Sequence, residues 1–150
     1  MTMTVTTEPT KLSGVPWEEV TVGEVMHPGV IVCSPESPVR HAAWLMATHR
    51  IHAVVVLGAD EDGGLWGVVS DADVLRAAAR GDVDESPVSA VAQTPLATVA
   101  RCDGIDRARS LMQEHGVSHL LVTARGRPVG IVSTLDLVRA VAAGVGAARR

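Results

Sequence analysis

The sequence predicts an α/β (α+β) chain: two βαββα units packed about a pseudo-two-fold axis. Three observations carry this prediction. Residues 22–51 align with residues 88–117 without a gap. Aliphatic runs of strand length follow a helix-period segment in both copies. Gly, Pro and Asp punctuate the two copies at matching places.

The register is tight. Val25 and Met26 face Val91 and Ala92, Val39 faces Ile105, Leu45 and Met46 face Leu111 and Met112, and His49 faces His115. Past the first hairpin loop the register slips by three residues, because that loop is three residues longer. Residues 67–77 then align with 130–140. A single indel confined to a loop is the trace left by duplication of a folded unit.

The elements follow in order. Residues 1–14 are Thr-rich and are expected to form a disordered tail. The first unit and its N-terminal segment take 15–81, the second unit 82–144, and residues 145–150 form a C-terminal tail. Each unit begins with a short strand, 30–33 and 96–99. Pro35 and Pro38 punctuate the approach to a helix with Val39, Ala42, Ala43, Leu45 and Met46 at helical spacing. That helix ends near Arg50, and its counterpart ends at Gly116, a common C-terminal stop. Strands over 51–57 and 65–70 follow, joined by an acidic, Gly-rich loop over 58–64. Asp73 is read as opening an Ala-rich helix that closes at Gly81, and Asp136 as opening its match, closed at Gly144. The strand runs are almost continuously aliphatic, as in strands buried on both faces. Neither three-stranded sheet can cover itself, so two units must stack.

Composition excludes several classes. With three Trp and no Phe or Tyr, the core must be aliphatic. The net charge of -4, with scattered basic residues, argues against a nucleic-acid-binding face. No apolar run reaches the roughly 18 residues of a membrane span, and the N-terminus has no secretory h-region. A cytoplasmic protein with reduced thiols is expected, since Cys33 and Cys102 are too few for a disulfide framework. His115 and His119 are four apart, but Gly116 ends the helix between them, so no metal site is expected. No nucleophile–base pair and no Gly-Lys-Ser phosphate loop marks an enzyme.

Three passages resemble a known family. They are the opening Val22-Gly23-Glu24-Val25-Met26, the helix-to-strand passage from His49 to Val56, and a Gly-h-h-Ser-x-x-Asp passage at Gly67 and again at Gly130. Together, in order and repeated, they resemble a tandem pair of CBS domains, the Bateman module, over about residues 20–143. The resemblance implies composite clefts. One would take Ser133, Thr134 and Asp136 with Val30, Ile31, Ile51, His52 and Ala53. The other would take Ser70 and Asp73 with Leu96, Ala97, Val117, Ser118 and His119. It implies an adenosine-type ligand, AMP, ADP or ATP, no required cofactor and a flat homodimer. With no effector domain expected, the output reaches a separate effector protein, or the chain acts only as a buffer or stability-linked sensor.

The residue types suit that chemistry. A carboxylate can accept a hydrogen bond from each of the two ribose hydroxyls. A hydroxyl and the free N–H groups at a helix start suit phosphate. Asp73 and Asp136 also fit plain helix capping, and the two roles are compatible. Ala72 and Leu135 stand where adenylate-binding members often carry Ser or Thr, and Asp71 places like charge near a phosphate. The Asp136 cleft is therefore the expected anion site, and the Asp73 cleft the weaker one. Arg76 and Arg139, one turn into their helices, either assist a phosphate or face solvent. An S-adenosylmethionine-type ligand, or an interaction module without ligand, stands as the alternative.

Overall fold

The computed structural model describes residues 12–58, 65–94 and 96–146. The expected N-terminal tail up to residue 11 and nearly all of the first hairpin loop lie outside the described residues. The chain runs α1 (Val22–Val25), β1 (His27–Pro28), β2 (Val32–Cys33), α2 (Val39–His49), β3 (Ala53–Leu57), β4 (Leu65–Ser70) and α3 (Asp71–Arg80), then β5 (Thr98–Ala100), α4 (Ile105–His115), β6 (His119–Ala124), β7 (Arg127–Ser133) and α5 (Thr134–Ala142). Two mixed sheets form, ordered β2-β3-β4 and β1-β7-β6-β5. The fold is the mixed α/β pair of repeats that the sequence predicts.

Several boundaries move for local reasons. Helix α2 closes on Arg50 in a left-handed conformation, and the Ile51 N–H turns back to Met46 O at 3.0 Å. Gly116 and Val117 do the same after α4. Ile51 and Val117 thus finish helices, and their strands start two residues later, at Ala53 and His119. Helices α3 and α5 start at Asp71 and Thr134, not at Asp73 and Asp136. Ser70 and Ser133 are the N-caps, and each Asp is the third helical residue of a capping box. The first strands are also shorter than expected, because Val30, Ile31, Leu96 and Ala97 precede the paired stretch.

Each sheet packs one face on its own helices. Val54, Val56 and Val69 join Ala42, Leu45 and Met46 in one core. Leu120, Val122 and Val132 join Ala108, Leu111 and Met112 in the other. Alternate strand residues point the opposite way. Ala53, Val55, Val68, His119 and Leu121 are buried on that second face, where the two units meet.

The units exchange their leading segments, a feature the linear boundaries 15–81 and 82–144 miss. Val20 and Val22 belong to the second core, while Val88, Val91 and Ala92 pack in the first. The exchange is reciprocal at the level of single bonds. Ile105 N–H donates to Val20 O, and at the matching positions Val39 N–H donates to Ser86 O, both at 3.0 Å. Strand β1 then pairs antiparallel with β7, opposing His27 to Ile131 and Pro28 to Gly130. The physical reason is burial: two Val side chains ahead of the first strand are fully buried in the core of the far unit.

The expected tails also shorten. Leu12, Val15 and Trp17 pack against the second core, and Gly14 N–H bonds Gly144 O at 3.1 Å. Val145 is a core residue at 4% exposure.

Candidate functional site

The motif glycines have a packing role. A Cβ on Gly130 would collide with His27 O, and one on Gly67 would lie 2.7 Å from Gln93 O. Both glycines let the exchanged segment cross the sheet against bare backbone. That crossing builds a wall. Gly29 N–H bonds Val129 O of the second unit, and Val55 N–H bonds Ile31 O of the first, each at 2.9 Å. Residues 29–31 are thereby strung between the two sheets.

Behind that wall lies a cavity of about 350 Å³. Ser133, Asp136, Val30, Ile31, Ile51, His52 and Ala53 all line it. His27, His49, His119, Ile131, Leu135 and Arg139 complete the polar and apolar surroundings. Its size fits the small-molecule range of roughly 300–1,000 Å³.

Asp136 anchors the floor at 5% exposure. Its Oδ2 accepts from the Ser133 N–H at 2.8 Å and from the Ser133 hydroxyl at 3.0 Å. Its Oδ1 has His27 Nδ1 at 3.2 Å and Arg139 Nη1 at 3.7 Å. One oxygen is thus fixed by the capping box, and the other faces the His27 imidazole and the Arg139 guanidinium. His52 lines the cavity while its Nδ1 lies 3.1 Å from Asp71 Oδ2.

The second motif is tied down more tightly. Asp73 is 1% exposed, and its Oδ2 takes the Ser70 N–H at 2.8 Å and the Ser70 hydroxyl at 2.9 Å. Its Oδ1 is held by the Arg76 guanidinium. Leu96, Ala97, Val117 and Ser118 do not line the Asp136 cavity. Ala97 and Val117 pack on the second core.

Two expected placements are corrected. Thr134 stands outside the cavity: its N–H bonds Ser118 O at 3.0 Å, and it lines the groove between α4 and α5 beside Trp17. His119, expected with the Asp73 cleft, lines the Asp136 cavity. The pairing explains this, since His119 is the ladder partner of Ser133 and lies on the face turned from the core. Burial pushes its imidazole below the usual value, against the pull of Asp71, Asp136 and Asp73. Its Nδ1 lies 3.0 Å from Ser118 Oγ.

His27 and His49 were absent from the sequence-based set. The alignment places His27 opposite Gln93, but nothing in it tells that this segment crosses to the other unit. Among the described residues, no group of three or more His, Cys, Asp or Glu is arranged to hold a metal. No helix among them is long and apolar enough to cross a membrane.

Fold and cavity define a paired-repeat module with a composite cleft between its units. The CBS-domain sequence profile matches residues 22–80 and 85–143, and the chain belongs to the CBS-domain family. It is 33% identical over 117 residues to the CBS domain-containing protein YhcV of Bacillus subtilis, covering 77% of this chain and 81% of that one. The CBS domain protein PAE2072 from Pyrobaculum aerophilum, solved with AMP, superposes with a TM-score of 0.67 at 28% identity, over 79% of this chain and 90% of that one. Hypoxic Response Protein I, solved with two coordinated zinc ions, superposes with a TM-score of 0.61 at 28% identity, over 80% and 98% of the two chains. The same-named protein of Mycobacterium tuberculosis is 27% identical over 121 residues.

Proposed function

We propose that this chain is a regulatory module that binds an adenosine nucleotide, AMP, ADP or ATP, in the Asp136 cavity. The single observation that carries this is convergence. Residues from both units meet around one cavity, with a buried carboxylate on its floor. Asp136 Oδ1 takes the ribose hydroxyls, sharing with His27. Val30, Ile31 and Ile51 supply an aliphatic slot for the base. Arg139 supplies a cation, and His49 and His52 supply imidazole nitrogens, for phosphate. The AMP complex of PAE2072 supports the ligand class.

The module acts by population shift: the nucleotide favours one arrangement of the two units, which a separate effector protein reads. It works without catalysing a reaction, as a cytoplasmic homodimer. Leu75 and Val138, at matching positions on α3 and α5, are 68% and 60% exposed and offer apolar surface for a second copy.

A thermal-shift series tests the reading. A ligand that binds only the folded state raises Tm by mass action. AMP, ADP or ATP at millimolar concentration should raise it, and adenosine should raise it less. A response to S-adenosylmethionine alone moves the assignment to that ligand type. No response to any of them favours an interaction module, a reading supported by the exposed Leu135, Val138 and Val141.

A further inference from the structure

The histidines around the cavity differ in their surroundings. His27, His49 and His52 are exposed, whereas His119 is 8% exposed. His119 and Ala53 hold equivalent places, each opposite the N-cap serine of its unit, and both line the cavity. One copy thus puts an imidazole at the midline where the other puts a methyl group. Asp136 of its own unit and Asp71, Asp73 and His52 of the other act on its charge. His27, His49 and Arg139 face the same space.

We propose that His119 is a ligand-contacting residue of the Asp136 cavity, and that an anionic group bound there charges its imidazole. The proposal rests on the nucleotide reading above and adds a role that reading does not contain. In the free protein, burial favours the neutral ring, with Asp71, Asp136 and Asp73 opposing and His52 assisting. An anion within about 4–6 Å raises such a pKa by about 1–3 units. The bound state then holds a proton that the free state lacks. Affinity for an anion therefore rises as pH falls toward the mildly acidic range, while affinity for a neutral nucleoside does not.

The experiment is an NMR pH titration of His119, assigned by triple resonance, in protein alone, with adenosine and with AMP. Calorimetry in two buffers of different ionisation enthalpy counts protons taken up in wild type and in His119→Gln. The variant retains the phosphate titration of AMP itself, so the difference belongs to His119. The expected result is an upward move of the His119 midpoint of about one unit or more with AMP and none with adenosine. Proton uptake should be smaller in the variant. If AMP binds with clear heat and the His119 midpoint stays fixed, the proposal is overturned while the nucleotide reading stands. If AMP gives neither heat nor any shift, the nucleotide reading fails, and this proposal fails with it.

Discussion

His27 Nδ1 lies 3.2 Å from Asp136 Oδ1, although 109 positions separate the two residues. The contact exists because the segment ahead of the first unit crosses to the second and adds β1 to β7. It ties a surface histidine to the buried carboxylate of the cavity floor. The cavity is therefore a product of the exchange, and the exchange depends on residues far from any ligand.

Gly130 is the first such residue. Gly130→Ala forces a Cβ against His27 O, which lies on backbone and cannot move aside. Overpacking of this kind costs about 1–3 kcal/mol. The melting temperature should fall by several degrees, and binding to the cavity should weaken as β1 lifts from β7. An unchanged melting temperature would show that the crossing segment is loosely held.

Val22 tests the exchange directly. It lies in the first half of the sequence but is fully buried in the second core. Val22→Ala removes two methyl groups and leaves a cavity, a loss of about 2 kcal/mol. Hydrogen exchange should speed up in α4 and β6 more than in α2 and β3. The reverse pattern would place Val22 with its own half.

His119 makes stability depend on pH with a definite sign. The unfolded chain titrates this residue near 6.5, and burial lowers the folded value. Between those values the unfolded chain binds more protons, so stability rises with pH in that window. The contribution is complete above about 6.5 and declines as pH falls through that value toward the folded midpoint. Urea midpoints measured down the mildly acidic range should drop more steeply in wild type than in His119→Gln. Parallel curves would mean that His119 is not held neutral by the fold.

Most of the architecture was legible because the repeat registers twice. Periodicity set the helices, and aliphatic runs set the strands. Ser133, Asp136, Ile51 and His52 met at one cavity because the pseudo-two-fold that stacks the units also joins those strand ends. What stayed hidden was spatial. Val20 and Val22 carry no mark of which core they join, so His27 could not be placed over Asp136. The helix starts were misread for a simpler reason: an Asp at the third helical position looks like a cap until Ser70 and Ser133 are seen to hold that role. Thr134 differs from its neighbours because, as the first residue of α5, it borders the groove shared with Trp17 and α4.

The central claim is that one nucleotide binds at the Asp136 cavity. Calorimetric titration of AMP into wild type, Asp136→Asn and Asp73→Asn tests it most directly. Each amide still offers an oxygen to its capping serine, so both variants should stay folded. Loss of one charge-assisted hydrogen bond is worth about 1.5–3 kcal/mol, or about 10- to 150-fold in affinity. The account predicts that loss for Asp136→Asn, near wild-type binding for Asp73→Asn, and one AMP per chain. Loss of binding in Asp73→Asn with full binding retained in Asp136→Asn would contradict it.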